Sequence, residues 1–242
     1  MVVDKARYDI LSNISLGLMA EECDGIPEGV DYRILCSGID EIKQVERAAR
    51  VCYRSEDKIT DDGSSAKELI KKLIDLNHDA MLEHSSLTVR FVCDRAIANE
   101  LTRHRMAAFA QESTRYCNYS NGKFGGQIHV ICPSELQEGT VEYDMWHLAC
   151  ISCEKMYFGM LDRGCTPQIA RSVLPLSLKT VLVVTANYRE WRHILKLRTD
   201  KHAHPDMREL MIPLLKELQG RIPIIFDDIG KEDSSNGSEE TT

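Results

Sequence analysis

Apolar and polar positions follow two different periods along the chain. Apolar residues recur at helical spacing near 40–53 and at about 69–76, which predicts two amphipathic helices with Ser64 or Ser65 as the N-cap of the second. Strict alternation in LTVRFVC (87–93) predicts a strand. The same criteria give a long helix at about 94–113, strands at 128–132 and 179–186, one or two helices within 135–163, and helices at about 188–198 and 205–219.

These elements are mixed without a regular strand–helix–strand rhythm, which favours an α+β fold over a doubly wound α/β fold. With 242 residues the chain can bury a full core, as one domain or at most two fused ones, and we expect a single domain over 1–226. Residues 227–242 hold six acidic residues and one lysine and are rich in Ser and Gly. We therefore expect them to form a disordered, dispensable tail.

Charge and composition narrow the class of protein. The formal net charge is −8, of which the tail carries −5, so the remainder is nearly neutral at −3. This balance argues against a protein that coats nucleic acid but leaves room for a local basic pocket. No apolar run reaches 18 residues and no secretion signal is evident, so we expect a cytoplasmic protein that does not bind a membrane. The nine cysteines are irregularly spaced, which favours reduced thiols.

Common nucleotide-binding and hydrolase motifs are absent from the sequence, including G-x-G-x-x-G, the P-loop, H-E-x-x-H and G-x-S-x-G. Cys150-x-x-Cys153 has no second cysteine pair at zinc-ribbon spacing, so we interpret it as structural. The histidine pairs, His78 with His84 and His202 with His204, lack accompanying ligands at metallohydrolase spacing. We therefore predict no metal site.

The segment RHRMAAFAQESTRY (103–116) concentrates cationic and polar side chains. Arginine binds phosphate with two parallel hydrogen bonds, and Ser and Gln add neutral donors and acceptors. On the predicted helix, Arg103 and Arg105 would point about 200° apart and would contact different partners. From composition alone, an arginine-rich helix face exposed to solvent, with pairing at i, i+4, is the preferred interpretation.

The order and spacing of these residues resemble the signature of the flavin-dependent thymidylate synthases: Arg-His-Arg, seven residues, Ser, and Arg two residues further on. The matching residues are Arg103, His104, Arg105, Ser113 and Arg115. Four further segments resemble the family in the same order, namely ERAARVCY (46–53), HDAMLEH (78–84), IARSVLPLSL (169–178) and TANYREWRHILKLRTDKHAH (185–204). The resemblance covers most of residues 45–204.

The resemblance implies a set of site residues. FAD would be bound by His78, Arg103, His104, Arg105, Gln111, Asn187, Arg189 and His193. The substrate dUMP would be bound by Glu100, Arg103, Gln111, Glu112, Ser113, Thr114, Arg115, Arg171 and Arg198, with Arg115 and Arg171 suited to its phosphate. Arg198 would act catalytically at the edge of the pyrimidine ring.

The position of Arg198 is unusual on independent grounds. It follows Trp191, Ile194 and Leu195 at helical spacing and so lies in line with the apolar stripe of its predicted helix. An arginine there either extends its head group to solvent or meets a buried anion. The pattern alone leaves both alternatives open, and the resemblance favours the anion, because a guanidinium at the uracil edge would stabilise a negatively charged ring.

The implied reaction transfers a one-carbon unit from methylenetetrahydrofolate to dUMP, with FAD reduced by NADPH as the hydride source and no enzyme cysteine required. The resemblance also implies a homotetramer whose sites are built by several subunits. The sequence departs from the family pattern at Cys52, Ala110, Gln111 and His193, which stand where Ser, Asn, Glu and Asn are familiar. These departures put individual ligand assignments in doubt more than the family itself.

Two rival interpretations belong to other classes. The first is an RNA- or nucleotide-binding protein without catalysis, which would use the five arginines of 90–115 and their local net charge of +2. Few aromatic residues stand near these arginines to stack on bases. The second is an inactive relative that keeps the flavin and the nucleotide but has lost turnover.

Overall fold

The computed structural model describes residues 1–12, 38–120, 122, 125–222 and 224–230. The strands are β1 (Val2–Asp4), β2 (Arg7–Ser12), β3 (Ser86–Asp94), β4 (Ala107–Gln111), β5 (His129–Ile131) and β6 (Lys179–Asn187). The helices are α1 (Gly38–Val51), α2 (Ser64–Asp75), α3 (Arg95–Leu101), α4 (Val141–Asp162), α5 (Pro167–Ala170), α6 (Tyr188–Arg198) and α7 (Pro205–Arg221). Short 3₁₀ turns lie at Glu56–Lys58, Asp79–His84 and Arg171–Val173.

Four strands form an antiparallel sheet in the order β2-β3-β6-β4. Strand β6 lies inside this sheet, and Ala186 pairs with Leu87 of β3 on one side and with Ala107 of β4 on the other. Alternate residues of β6 are buried, as expected for a strand that packs one face on a core. Strands β1 and β5 form a separate parallel pair. An antiparallel sheet combined with helices that do not alternate regularly with its strands confirms the predicted α+β class.

The larger of two hydrophobic clusters lies between the antiparallel sheet and helices α1, α2, α6 and α7. Its largest fully buried side chains include Trp191, Tyr188 and Phe91. A smaller cluster lies around α4 and β5 and includes Tyr157, Ile128 and Leu178. None of the helices in the described part of the chain has the length and apolar composition that a membrane span requires.

Most predicted elements are confirmed, but the long helix predicted at 94–113 is wrong. Helix α3 ends at Leu101, and the chain then turns and enters β4. In β4 the residues Ala107, Phe109 and Gln111 are half-buried while Ala108 and Ala110 are exposed. The alanines favour a helix locally, but pairing with β6 provides this segment with backbone partners that a local pattern does not reveal.

The predicted cap of α2 is also wrong. Gly63 is the N-cap, with a left-handed φ of 76° that suits glycine. Both serines lie inside the helix, where the backbone N–H of Ser64 donates to the Asp62 carboxylate and the Ser65 hydroxyl donates to the buried carboxylate of Glu46. The hydroxyls of Ser64 and Ser65 donate to the carboxylates of Asp62 and Glu46, and neither serine caps the helix.

Residues 227–230, which are predicted from the sequence to belong to the tail, pack on the domain. Ile229 is 3% exposed in the main cluster, and the Asp228 carboxylate accepts two hydrogen bonds from the buried guanidinium of Arg192 at 2.6 and 2.7 Å. Burial raises the pKa of Asp228, but the bonds and charge of Arg192 outweigh it, so the pKa lies below its ordinary value. The rest of the predicted tail lies outside the described residues.

Candidate active site

The Arg-His-Arg segment lies in the turn between α3 and β4. His104 is buried, at 7% exposure, whereas Arg103 and Arg105 are exposed. The expectation that the two arginines diverge across a helix is therefore wrong, because this segment is not helical. The turn instead places the histidine inside and leaves both guanidinium groups accessible to a ligand.

Three hydrogen bonds fix the guanidinium of Arg198 at the end of α6. Its Nε donates to Nε2 of His104 at 3.1 Å, and its two terminal nitrogens donate to the carboxylate and the backbone oxygen of Glu100 at 2.9 and 3.2 Å. The side chain is 21% exposed. Arg198 thus meets an anion supplied by α3, and two of its five N–H groups are not engaged in these bonds.

The bond from Arg198 determines the tautomer of His104. Because Nε2 accepts a hydrogen bond, the proton of the neutral ring resides on Nδ1, which faces the Glu190 carboxylate at 3.7 Å. Burial, the charge of Arg198 and the charge of His193 together lower the pKa of His104 to about 4. His104 is therefore a neutral imidazole at physiological pH.

We expect His104 to remain neutral throughout the range from pH 5.5 to 8. Its folded pKa of about 4 lies below the ordinary value near 6.5, so the folded protein takes up its proton only as the pH falls toward 4, and protonation favours unfolding. Nitrogen-15 NMR of the imidazole rings, assigned with a His104→Asn variant, measures this directly. A His104 titration midpoint above pH 6 would contradict the assignment.

His104, Glu190 and His193 also have ligand atoms within 4.8 Å of one another, an arrangement that could hold a metal ion. In the observed geometry, however, the Nδ1 proton of His104 points toward Glu190, so this nitrogen has no free lone pair for a metal. The two histidine rings lie edge-to-face with centroids 5.8 Å apart. Within the cluster, the shortest ion-pair distance is the 3.7 Å between His104 and Glu190.

The junction of β6 and α6 opens onto a groove. Asn187 is the N-cap of α6, and its side-chain oxygen accepts a bond from the backbone N–H of Glu190 at 2.9 Å. A cavity of about 560 Å³ is lined here by Asn187, Arg189, Glu190 and His193. Arg189, held by Glu83 at 2.5 Å, is shared with a second cavity of about 890 Å³. The two cavities adjoin at Arg189 and Asp79, and we refer to them together as the groove.

The larger cavity, around His78, is lined mainly by cationic and apolar groups. Its charged residues include Arg50, Lys58, Lys72 and Arg189, against the single acid Asp79, and its lining also contains Tyr53, Leu69, Leu73 and Met81. A cationic channel with aromatic and aliphatic walls suits a long ligand that carries a diphosphate between flat ring systems. Four of the eight predicted cofactor residues, His78, Asn187, Arg189 and His193, line this groove.

A second group of predicted residues lies where the chain leaves β4. Gln111 donates to Thr180 at 3.4 Å, and Arg171 donates to the hydroxyl of Thr114 at 3.3 Å. The guanidinium of Arg115 lies over the Tyr116 ring, 5.5 Å from its centroid, and Ser113 accepts a bond from the Arg115 backbone. Exposed Arg115 and Arg171 make this loop a candidate phosphate site.

Glu112 has a different environment from its neighbours. Its carboxylate accepts a bond from the Tyr119 hydroxyl at 3.1 Å, and its backbone oxygen accepts one from Arg95 at 2.9 Å. Burial and the adjacent carboxylate raise the pKa of Tyr119. These bonds attach the loop after β4 to the rest of the fold.

The two groups of site residues lie at opposite ends of β4. Ala107, three residues after His104, pairs with Ala186, whereas Gln111 pairs with Leu182. The strand rise separates position 182 from position 187 of β6 by roughly 17 Å. Within one chain, the groove residues therefore lie on the same side as Arg198, and the residues of the loop after β4 lie near Arg171. The two groups remain apart.

Several residues of the groove were not predicted from the sequence. Glu190, which faces His104, stands three residues before His193, and this i, i+3 spacing on a predicted helix could have identified it. Tyr53 and Arg50 lie within a segment that resembles the family, but Lys72 and Lys58 carry no local signal. Their place in the groove depends on how α1 and α2 pack together.

Comparisons with known proteins point to one family. A family model described as thymidylate synthase complementing protein matches residues 35–224, a range that contains every predicted site residue. The chain is 29% identical to the flavin-dependent thymidylate synthase of Corynebacterium aurimucosum, over 95% of this chain and 96% of that protein. Proteins of the same name from Geobacter sulfurreducens and Mycobacterium marinum are 31% and 30% identical, over 77% and 82% of this chain and 81% and 83% of their own.

Proposed function

Since the chain belongs to the thymidylate synthase complementing protein family, we propose that it is a flavin-dependent thymidylate synthase that methylates dUMP to dTMP. The observation that carries this proposal is the family match over 35–224 together with the groove that gathers four of the predicted FAD ligands. We further propose methylenetetrahydrofolate as the carbon donor and NADPH as the reductant. FAD, when bound and reduced, supplies the hydride that completes the methyl group.

The groove residues support the binding of FAD. Arg189 stands where the two cavities join and can neutralise a diphosphate, while His78 and Asn187 can hydrogen-bond polar groups on either side of it. The exposed Arg103 and Arg105 extend from the turn that holds His104. We propose that these residues, with His193 and Gln111, hold and orient the cofactor.

We propose that the loop after β4 binds the nucleotide. Arg115 and Arg171 would pair with the phosphate, and the hydroxyls of Ser113 and Thr114 would add neutral hydrogen bonds. We assign the remaining contacts of dUMP to Glu100, Arg103 and Gln111. Glu112 holds the loop through its bond with Tyr119.

Arg198 has the chemistry needed at the pyrimidine ring. A guanidinium beside the ring carbonyls stabilises the negative charge that makes C5 of the ring nucleophilic. The hydrogen bonds from Arg198 to Glu100 and His104 hold this group in one orientation before the substrate arrives, so little reorganisation is required during the reaction. We therefore propose Arg198 as a catalytic residue.

We also propose that the protein is a homotetramer whose active sites combine residues of different copies. The separation of the groove from the phosphate loop along β4 supports this, since a flavin and a nucleotide must meet for methylation and one chain leaves their predicted ligands at opposite ends of a strand. The cytoplasmic location stays a prediction.

The test is the visible absorption spectrum of the purified protein with FAD, followed through a titration with dUMP and then by an anaerobic assay for dTMP. We expect a flavin band that shifts on addition of dUMP but not of dCMP, because the two nucleotides share a phosphate and differ in the ring edge. His78→Ala should weaken FAD binding, whereas His84→Ala, outside the groove lining, should not.

The other outcomes distinguish the rival functions. A flavin band and a dUMP response without dTMP formation would identify an inactive relative. Absence of both, combined with salt-dependent binding of a generic RNA, would identify the nucleic-acid-binding alternative.

A further inference from the structure

Helix α4 presents an apolar face that nothing in the described part of the chain covers. Val141, Met145, Leu148 and Met156 are 71, 68, 62 and 59% exposed, although they recur at helical spacing. The opposite side of the same helix packs on the smaller hydrophobic cluster through Cys150 and Tyr157. A 22-residue helix that is apolar on two sides has one side available for a partner.

Eight exposed positions on this side follow a palindromic pattern, and exposed Asp144 lies at the edge of the face outside that pattern. We define the α4 face as Val141, Glu142, Met145, Leu148, Ala149, Ser152, Lys155 and Met156, all of which are exposed. The intervals between these residues are the same when the helix is read in either direction. A second α4 in antiparallel orientation would therefore place every residue of the face opposite another residue of the face.

We propose that two copies of this chain associate through the α4 face, antiparallel about a two-fold axis between residues 148 and 149. In this register Leu148 of one copy packs on Ala149 of the other, and Met145 packs on Ser152. Large residues thus meet small ones, as close helix packing requires. An isologous interface of this kind uses the same patch on both copies. The proposal rests on the self-association proposed above and identifies the surface that mediates it.

The charges of the face fit the same register. Glu142 near the start of α4 lies opposite Lys155 of the other copy, and the two-fold axis produces this pair twice. Val141 packs on Met156 beside each pair. A parallel arrangement would instead place Glu142 beside Glu142 and Lys155 beside Lys155.

A membrane surface is a poorer occupant for this face. Helices that lie on lipid carry Lys and Arg along the border of their apolar side. Exposed Glu142, Asp144 and Asp162 give α4 an acidic border, against exposed Lys155. The small residues Ala149 and Ser152 also allow another helix to approach closely, which lipid does not require.

The first experiment is light scattering after size exclusion at about 10 µM protein. Leu148→Glu would bury two carboxylates at the axis, and we expect it to halve the number of chains in each particle. The matched control is Val51→Glu, which changes a residue of α1 that is 64% exposed and should leave the mass unchanged. A monomeric wild-type protein, or an unchanged mass for Leu148→Glu, would overturn the proposal.

Exchange of the charges tests the register. Glu142→Lys and Lys155→Glu should each weaken association about tenfold, because each places like charges together twice. The double variant restores both pairs and should recover the wild-type association constant. Circular dichroism confirms that each variant folds. A double variant no better than the single ones would refute the antiparallel register, and the flavin spectrum, measured separately, reports whether the proposed function itself fails.

Discussion

Arg198→Ala is expected to reduce the rate of dTMP formation on the order of 10³-fold, the effect of removing a fixed group that stabilises developing charge. The variant should retain FAD, because Arg198 lines neither part of the groove. Its loss also leaves Glu100 and Nε2 of His104 without their shared partner. The measurement is the single-turnover rate with saturating dUMP, alongside a flavin-binding titration.

Two further variants separate the roles of charge and geometry at this position. Arg198→Lys keeps the charge but cannot donate to His104 and Glu100 in the same planar arrangement, so it should recover little of the rate. Arg221→Ala removes an arginine of α7 that pairs with Glu217 at 2.6 Å and should leave the rate unchanged. Turnover of Arg198→Ala within tenfold of the wild type would exclude a catalytic role for Arg198.

Trp191→Ala is expected to cost about 3–5 kcal/mol of unfolding free energy, the range for large aromatic deletions in a core. Trp191 is fully buried, its indole N–H donates to the backbone oxygen of Leu87 at 2.9 Å, and its ring lies 6.4 Å from that of Phe91. The residue therefore attaches α6 to β3. Urea unfolding followed by circular dichroism measures the loss.

Conservative variants separate the contributions of packing and of the indole hydrogen bond to this loss of unfolding free energy. Trp191→Phe keeps much of the packing but leaves the buried Leu87 oxygen unpaired, and should cost about 1–3 kcal/mol. Trp146 is the matched control: it is half-buried, and its indole bonds the Ser177 hydroxyl at 3.0 Å. Trp146→Phe should cost less than Trp191→Phe. Equal losses of unfolding free energy for Trp191→Phe and Trp146→Phe would show that burial of the indole hydrogen bond at Trp191 adds no stability.

The sequence predicts the elements whose signals are local. Helix α6 has the predicted bounds, because Asn187 caps it and its apolar residues recur at helical spacing. Strand β4 was missed because its alanines carry no strand signal and its stability comes from β6, more than 70 residues away along the chain. The N-terminal strands β1 and β2 were likewise not predicted, since their partners are β5 and β3.

The candidate site likewise combines features that the sequence predicts with features that only the packing of distant segments determines. The sequence identifies His104 and Arg198 by their resemblance to a family, yet neither burial nor charge state follows from that resemblance. His104 is neutral because the packing of α3, α6 and the turn before β4 buries it beside Arg198 and His193. Such an environment is a property of packing between distant segments, which no motif encodes.

Strand β4 has a consequence for how this enzyme family can vary in length. Its five residues set the distance between the turn that holds His104 and the loop that holds Arg115. Successive side chains of a strand point to opposite faces of the sheet. Inserting one residue before Phe109 would therefore move Phe109 and the later side chains of β4 to the opposite face. A two-residue insertion would keep the alternation and move the proposed phosphate site relative to the proposed flavin groove by about 7 Å.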